Sequence, residues 1–204
     1  MPDIAFGRAY HLWAEPLNAV SNLAFIIAAF LAWRLWRREE LSARASWDIL
    51  LLTLVLASIG IGSGAWHIFA NSHTLLMDVI PIVIFMNIYL ASAAIRLMRQ
   101  KWWGAVGLLA LFQALNIASE TFLPRALLHG SIMYIPAFLM LFIITGHLWR
   151  HKHPGCGLVL KATLIFTASL AFRTLDLEIC EAWPYGTHFL WHLLNATMLF
   201  ILLK

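Results

Sequence analysis

Charge is what this chain has least of: Asp, Glu, Lys and Arg make up 12% of its 204 residues, about half the share that soluble domains carry. Such scarcity excludes a water-soluble globular fold. Hydrophobic residues reach 62% and the mean hydropathy is +0.80. Apolar runs of about 20 residues, each enough to cross ~30 Å of hydrocarbon, recur along the whole sequence. They leave no room for a separate soluble domain, so one membrane domain spanning 1–204 is expected. Cysteine is scarce too. Cys156 and Cys180 fall near opposite faces in the topology below, which excludes a disulfide between them. The first fifteen residues carry Asp3, Arg8 and Glu15 and lack the apolar core of a signal peptide, so the first apolar run is expected to remain as a span. Internal repeats and low-complexity segments are absent as well. The net charge of +4 does not point to nucleic acid, because the basic residues sit in short loops between spans.

Seven apolar stretches define an all-α bundle of seven transmembrane helices: Leu17–Trp36, Trp47–Ala70, Leu75–Leu97, Trp102–Ala118, Ala126–Trp149, Leu158–Asp176 and Thr187–Leu203. Ten Trp and four Tyr, many near span ends, fit interfacial anchoring. Basic residues sort by side. Arg34, Arg37, Arg38 and Arg44 follow the first span, Arg96, Arg99 and Lys101 the third, and Arg150, Lys152 and Lys161 the fifth. The other side has Arg8, Arg125 and, at a helix end, Arg173. The positive-inside rule then puts the N-terminus outside and Lys204 in the cytoplasm.

Ionisable groups inside spans are costly and mark function by default. This topology gathers a set of them at the outer end. Ser63 and His67 are four residues apart near the end of the second span, on one helix face. Asp78 opens the third span eleven residues after His67, and His188 and His192 occupy the first turns of the last. Neutral imidazole is a good zinc ligand, and three protein ligands leaving a position for water is the arrangement of a catalytic zinc site. The spacing also admits a polar hydrogen-bond cluster tying helices together, or a proton relay. The same HxxxH spacing recurs at His147 and His151, which sit beside Arg150 and Lys152 and read as interfacial residues. Glu15, Asn18, Ser21 and Asn22 crowd the outer end of span one, and Arg173 and Asp176 close span six. These six are expected to form a supporting shell around the site, with Arg173 and Asp176 able to pair at i, i+3. His11, His73 and His129 are spare candidates on the same side.

Four elements, in order, resemble the alkaline ceramidase family. Glu15-Pro16-Leu17-Asn18-Ala19-Val20-Ser21-Asn22 resembles that family's ExxNxxSN start, and Gly60-Ile61-Gly62-Ser63-Gly64-Ala65-Trp66-His67 its GxGSxxFH element. Leu75-Leu76-Met77-Asp78-Val79-Ile80-Pro81 looks like its LLDELP stretch, and His188-Phe189-Leu190-Trp191-His192 matches HxxWH in the last span. The wider superfamily includes adiponectin-receptor-like proteins with the same Ser, His, Asp and HxxxH pattern. The resemblance implies Zn2+ held by His67, His188 and His192, with Asp78 beside the reacting water and Ser63 near the substrate carbonyl. It implies a hydrolase of ceramide or a related N-acyl lipid, releasing fatty acid and amine.

The chain departs from the family in three ways. Its N-terminal segment has only Asp3 and Glu15 as acids, whereas eukaryotic members bind Ca2+ with an acidic segment, so calcium regulation is not expected. Arg173 stands where those enzymes usually have a bulky aromatic, although Asp176 matches. Long tails and eukaryotic sorting signals are lacking, which suggests a bacterial inner-membrane protein with its site toward the periplasm. Because many bacteria make no ceramide, the amide is open to being another N-acylated lipid. A seven-span transporter, or a receptor-like protein with a structural metal, is the alternative reading, although no inverted repeat of the carrier type is visible.

Overall fold

The computed structural model describes residues 15–39, 46–124, 127–179, 183 and 185–204. Asp3, Arg8, His11, Arg44, Arg125, Ala126 and Cys180 therefore lie outside the described residues. All regular structure among the described residues is helical: α1 (Pro16–Ser21), α2 (Leu23–Arg38), α3 (Trp47–Phe69), α4 (Ser72–Arg96), α5 (Trp102–Phe122), a 3-10 segment (Leu127–Tyr134), α6 (Ile135–Arg150), α7 (Cys156–Ile179) and α8 (His188–Leu202).

Six stretches have the length and apolarity to cross a bilayer: Pro16–Arg38, Trp47–Phe69, Ser72–Arg96, Trp102–Phe122, Leu127–Arg150 and Cys156–Asp176. The chain is an integral multi-pass membrane protein. The seventh expected span, α8, is an apolar helix of 15 residues, roughly 22 Å at 1.5 Å per residue. Its start is fixed by Asp176, whose Oδ1 accepts the backbone N–H groups of Thr187 and His188. Large apolar side chains such as Leu54, Ile61, Phe122 and Trp149 face outward, as lipid solvation allows. Inside, Phe25, Leu52, Leu56, Phe85, Ile144 and Leu148 are buried together.

Helix direction sorts the two ends of the bundle. Arg37 and Arg38 end α2, Arg96 ends α4 and Arg150 ends α6. His67 ends α3 at the other face. At the basic end, the buried Asp48 carboxylate accepts from Ser92 (2.6 Å) and from the Arg96 guanidinium, so an acid in the first turn of α3 is matched by a base in the last turn of α4.

Three expected spans differ in detail from the sequence reading. The first is broken at Asn22 into α1 and α2. Ser21 Oγ and Asn22 Nδ2 both donate to the Asn18 carbonyl at 2.8 Å, taking the acceptor that the Asn22 amide would use in a continuous helix; that amide turns to Ala19 O instead. The third starts earlier, because Asn71 caps α4 by accepting from His73 N and Thr74 N while Thr74 Oγ1 accepts from Asn71 N. Asp78 thus lies nearly two turns inside α4, where the sequence reading put it at the opening of the span. The fifth does not begin as an α-helix: Leu128, His129 and Gly130 have positive φ, and regular helix starts only at Ile135.

α3 and α4 approach unusually closely. A Cβ on Gly62 would stand 1.9 Å from the Met77 carbonyl oxygen, so only a glycine admits this backbone-to-backbone contact. The next residue on each helix after that contact is Ser63 on α3 and Asp78 on α4.

Candidate metal centre

α3 and α8 bring their histidines together at one end of the bundle. Ser63 and His67, one turn apart, are both buried on the inner face of α3. His188 and His192 occupy the first two turns of α8, where Asp176 and Thr187 hold the helix start; Thr187 Oγ1 also donates to Phe172 O at 2.6 Å, tying α8 to α7. The ring centroids of His67, His188 and His192 lie 4.7, 4.9 and 5.2 Å apart. One nitrogen from each ring falls within 4.8 Å of the others.

Three points so spaced lie no more than about 2.8 Å from a common centre, against Zn–N bonds of about 2.0–2.1 Å. Small ring movements suffice to close on an ion. The hydrogen bonds behind the rings also fit a ligand set. Glu15 Oε2 lies 2.8 Å from His67 Nδ1 and accepts from Asn18 Nδ2 at 2.7 Å. A carboxylate can only accept here, so His67 Nδ1 carries a proton, which in the neutral ring leaves Nε2 bare. Ser21 Oγ lies 2.7 Å from His192 Nδ1 while giving its single proton to Asn18 O. It therefore accepts from His192 Nδ1–H, and again Nε2 is left for an ion. Asn22 Nδ2 stands 3.5 Å from the same ring nitrogen. The six-residue α1 and its flanks thus orient histidines on two other helices.

Asp78 reaches the site from α4 and is not one of the clustered metal donors. Its carboxylate interacts with the Ser63 side chain and, electrostatically, with His67 and Arg173. The Gly62–Met77 contact is what brings these two side chains within reach. Arg173 and Asp176 do not pair with each other. Asp176 is engaged at the start of α8 as described. The Arg173 guanidinium lies against the touching pair of Tyr134 and Trp191, 5.3 Å from each centroid, with the two rings 4.7 Å from one another, and its buried Nε has no hydrogen-bond partner.

A cavity of about 360 Å3 opens from this polar layer. Its wall includes Glu15, Ser63, Asp78, Arg173, His188 and His192 at one end. Its body runs between the helices past Ile82, Phe85, Leu90, Ile144, Met198 and Leu202 toward the basic end. From Asp78 to Leu90 along α4 is twelve residues, roughly 18 Å. A polar head and an apolar shaft of this form suit an amphiphile with one reactive group near its polar end.

The remaining histidines stay apart. His73 is exposed in the first turn of α4, and His129 Nε2 contacts Glu178 at 3.1 Å. The His147 and His151 rings lie 4.4 Å apart at the opposite end of α6. Cys156 is a free thiol. Sequence reasoning gave no part to Tyr134 or Asn195, and Trp191 entered only as the Trp of HxxWH. Asn195 lines the cavity three residues after His192 with a buried, unpaired side-chain oxygen; an amide on the inner stripe of an apolar span was the available signal. Tyr134 had none, because its placement depends on the irregular entry into α6.

A family model described as Ceramidase matches residues 8–203. No curated protein matches the chain.

Proposed function

This chain belongs to the ceramidase family, and on that footing we propose that it is a zinc-dependent intramembrane hydrolase that splits the amide bond of ceramide or a related N-acyl lipid into fatty acid and amine. The observation that carries the reading is the three-histidine cluster at the polar head of an apolar cavity, with Ser63 and Asp78 facing each other beside it.

His67, His188 and His192 would hold the ion. Zn2+ bound there would supply Lewis-acid activation of the attacking water. Asp78 takes the proton of the attacking water and passes it to the departing nitrogen. An amide needs that second transfer, because the amine leaves only when protonated. Ser63 donates its hydroxyl to the oxygen that becomes negative as water adds to the carbonyl carbon, an effect typically worth ~3 kcal/mol. Glu15 and Ser21 keep His67 and His192 in the ligating tautomer. The acyl chain lies in the apolar shaft, and the headgroup stays in the polar layer.

The clustering of basic residues at the far end supports an orientation with the histidine end outward and Lys204 in the cytoplasm. In a bacterial inner membrane that puts the site toward the periplasm, within one membrane domain.

The test is metal content by mass spectrometry on purified wild type beside the His188→Ala/His192→Ala double variant, followed by a screen of ceramides and other lipid amides. About one zinc per chain, lost in the variant together with hydrolysis, supports the reading. Folded protein never exposed to chelator that carries no transition metal overturns it in favour of a carrier or receptor-like role.

A further inference from the structure

Among the described residues, Arg173 is the one Lys or Arg side chain on the wall of the cavity; the Asp78 carboxylate feels its charge without forming an ion pair with it. Asp176, on the same helix face, is committed to the backbone of Thr187 and His188. No ion pair to Arg173 forms among the described residues, and its buried Nε meets no acceptor. The guanidinium is nonetheless held in place. The touching pair of Tyr134 and Trp191 holds it at 5.3 Å from each centroid, and contacts with ring faces do not satisfy the N–H groups at the rim of the cation. A permanently charged group kept at membrane depth with an unmatched donor and no ion pair favours an anion beside it. Arg pairs best with planar or tetrahedral oxyanions through its forked donors.

The level of Arg173 decides which part of an amphiphile would supply that anion. Its ring partner Trp191 lies in the same turn of α8 as His188 and His192, and the carbonyl of the preceding Phe172 bonds Thr187 at the very start of that helix. The apolar shaft runs the other way, toward Leu90 and Met198. An acyl chain in the shaft therefore puts the amine side of the amide, and not the chain, beside Arg173. We propose that Arg173 reads the headgroup, selecting N-acyl lipids whose amine portion bears an acidic group, as in a fatty acyl amide of an amino acid. This deepens the hydrolase reading and rests on it for the identity of the scissile bond.

The experiment compares N-oleoylglycine with N-oleoylethanolamine, which share the chain and the amide and differ in having a carboxylate or a neutral hydroxymethyl group. Binding is measured by thermophoresis in phosphatidylcholine nanodiscs for wild type, Arg173→Gln and Arg173→Lys, and hydrolysis is followed in parallel. Wild type should bind the acid about 10- to 100-fold tighter than the neutral amide, the range expected of hydrogen bonds to a charged group. That preference should collapse to within about 3-fold in Arg173→Gln and return in part in Arg173→Lys. Equal binding of the two by wild type, a preference that survives Arg173→Gln, or equal weakening of both ligands would each overturn the proposal. Oleate held through Arg173 without any preference between the two amides would also overturn it, assigning the residue to the fatty acid product. If the preference holds but neither amide is cleaved, the headgroup assignment stands and the hydrolase reading falls.

Discussion

Adding one methyl group at Gly62 should do more harm than removing most polar side chains from this protein. In Gly62→Ala the new Cβ would stand 1.9 Å from the Met77 carbonyl oxygen and 2.5 Å from its carbonyl carbon. Ordinary contact begins at 3.4 Å, so the α3 and α4 backbones must separate by about 1.5 Å at this point. Neither atom belongs to a flexible side chain that could swing aside. Overpacking of this kind costs about 1–3 kcal/mol, which lowers Tm by a few degrees up to roughly 10 °C in a chain of this size. The functional loss should be larger than that suggests. Ser63 and Asp78 are the residues next to Gly62 and Met77, so the separation falls on the pair assigned to the oxyanion and the proton. A 1 Å misplacement of reacting groups can cost about 10²-fold, and kcat/KM should fall by at least that much. Zinc content should stay near wild type, because the three histidines lie on α3 and α8. Gly64→Ala is the control. Its nearest neighbours are Asn22 Cβ at 3.7 Å and Ala19 O at 3.9 Å, and relief of glycine's helix penalty should leave stability equal or slightly raised. The assays are thermal unfolding by tryptophan fluorescence and turnover of whichever lipid amide the wild type accepts. Wild-type Tm and turnover in Gly62→Ala would refute the argument.

Ser63→Ala and Asp78→Ala should each lose turnover, by about 10²-fold or more, while keeping their zinc; undiminished turnover in both would remove the proposed mechanism. Glu15→Gln keeps the shape but not the charge behind His67 and should weaken zinc binding by about 10- to 100-fold in a chelator competition, an unchanged affinity counting against the orienting role. Asp48→Asn, at the far end of the bundle, should lower stability by about 1–3 kcal/mol through loss of its bonds to Arg96 and Ser92, with zinc and kcat/KM unaltered; a fall in zinc would mean that the two ends are coupled.

Periodicity and composition were enough for the helices, since runs such as Trp47–Phe69 and Ser72–Arg96 have no other stable form in lipid. The gathering of His67, His188 and His192 followed from chain direction alone, because alternate spans bring every second boundary to one face. Details set by side-chain competition were harder to read. The break at Asn22 arises from two side chains bonding one carbonyl, and nothing in an apolar run announces it. The left-handed residues Leu128 and His129 sit in a stretch that reads as uninterrupted helix. Arg173 and Asp176 looked like an i, i+3 pair by spacing. Spacing brings two groups near each other without saying which partner wins, and here a helix start claimed the carboxylate while two aromatic rings claimed the cation.

α1 is only six residues long, too short to persist by itself, yet its segment touches His67 through Glu15 and His192 through Ser21. On the proposed reading, these contacts make order at the N-terminal helix and occupancy of the metal centre reciprocal quantities. Whatever free energy α1 lends to the ligands, an ion lends back to α1. Fraying of α1 would then ease release of the metal, and binding of the metal would oppose that fraying. On that reading, the order of α1 would carry the state of the metal centre beyond its own ligands.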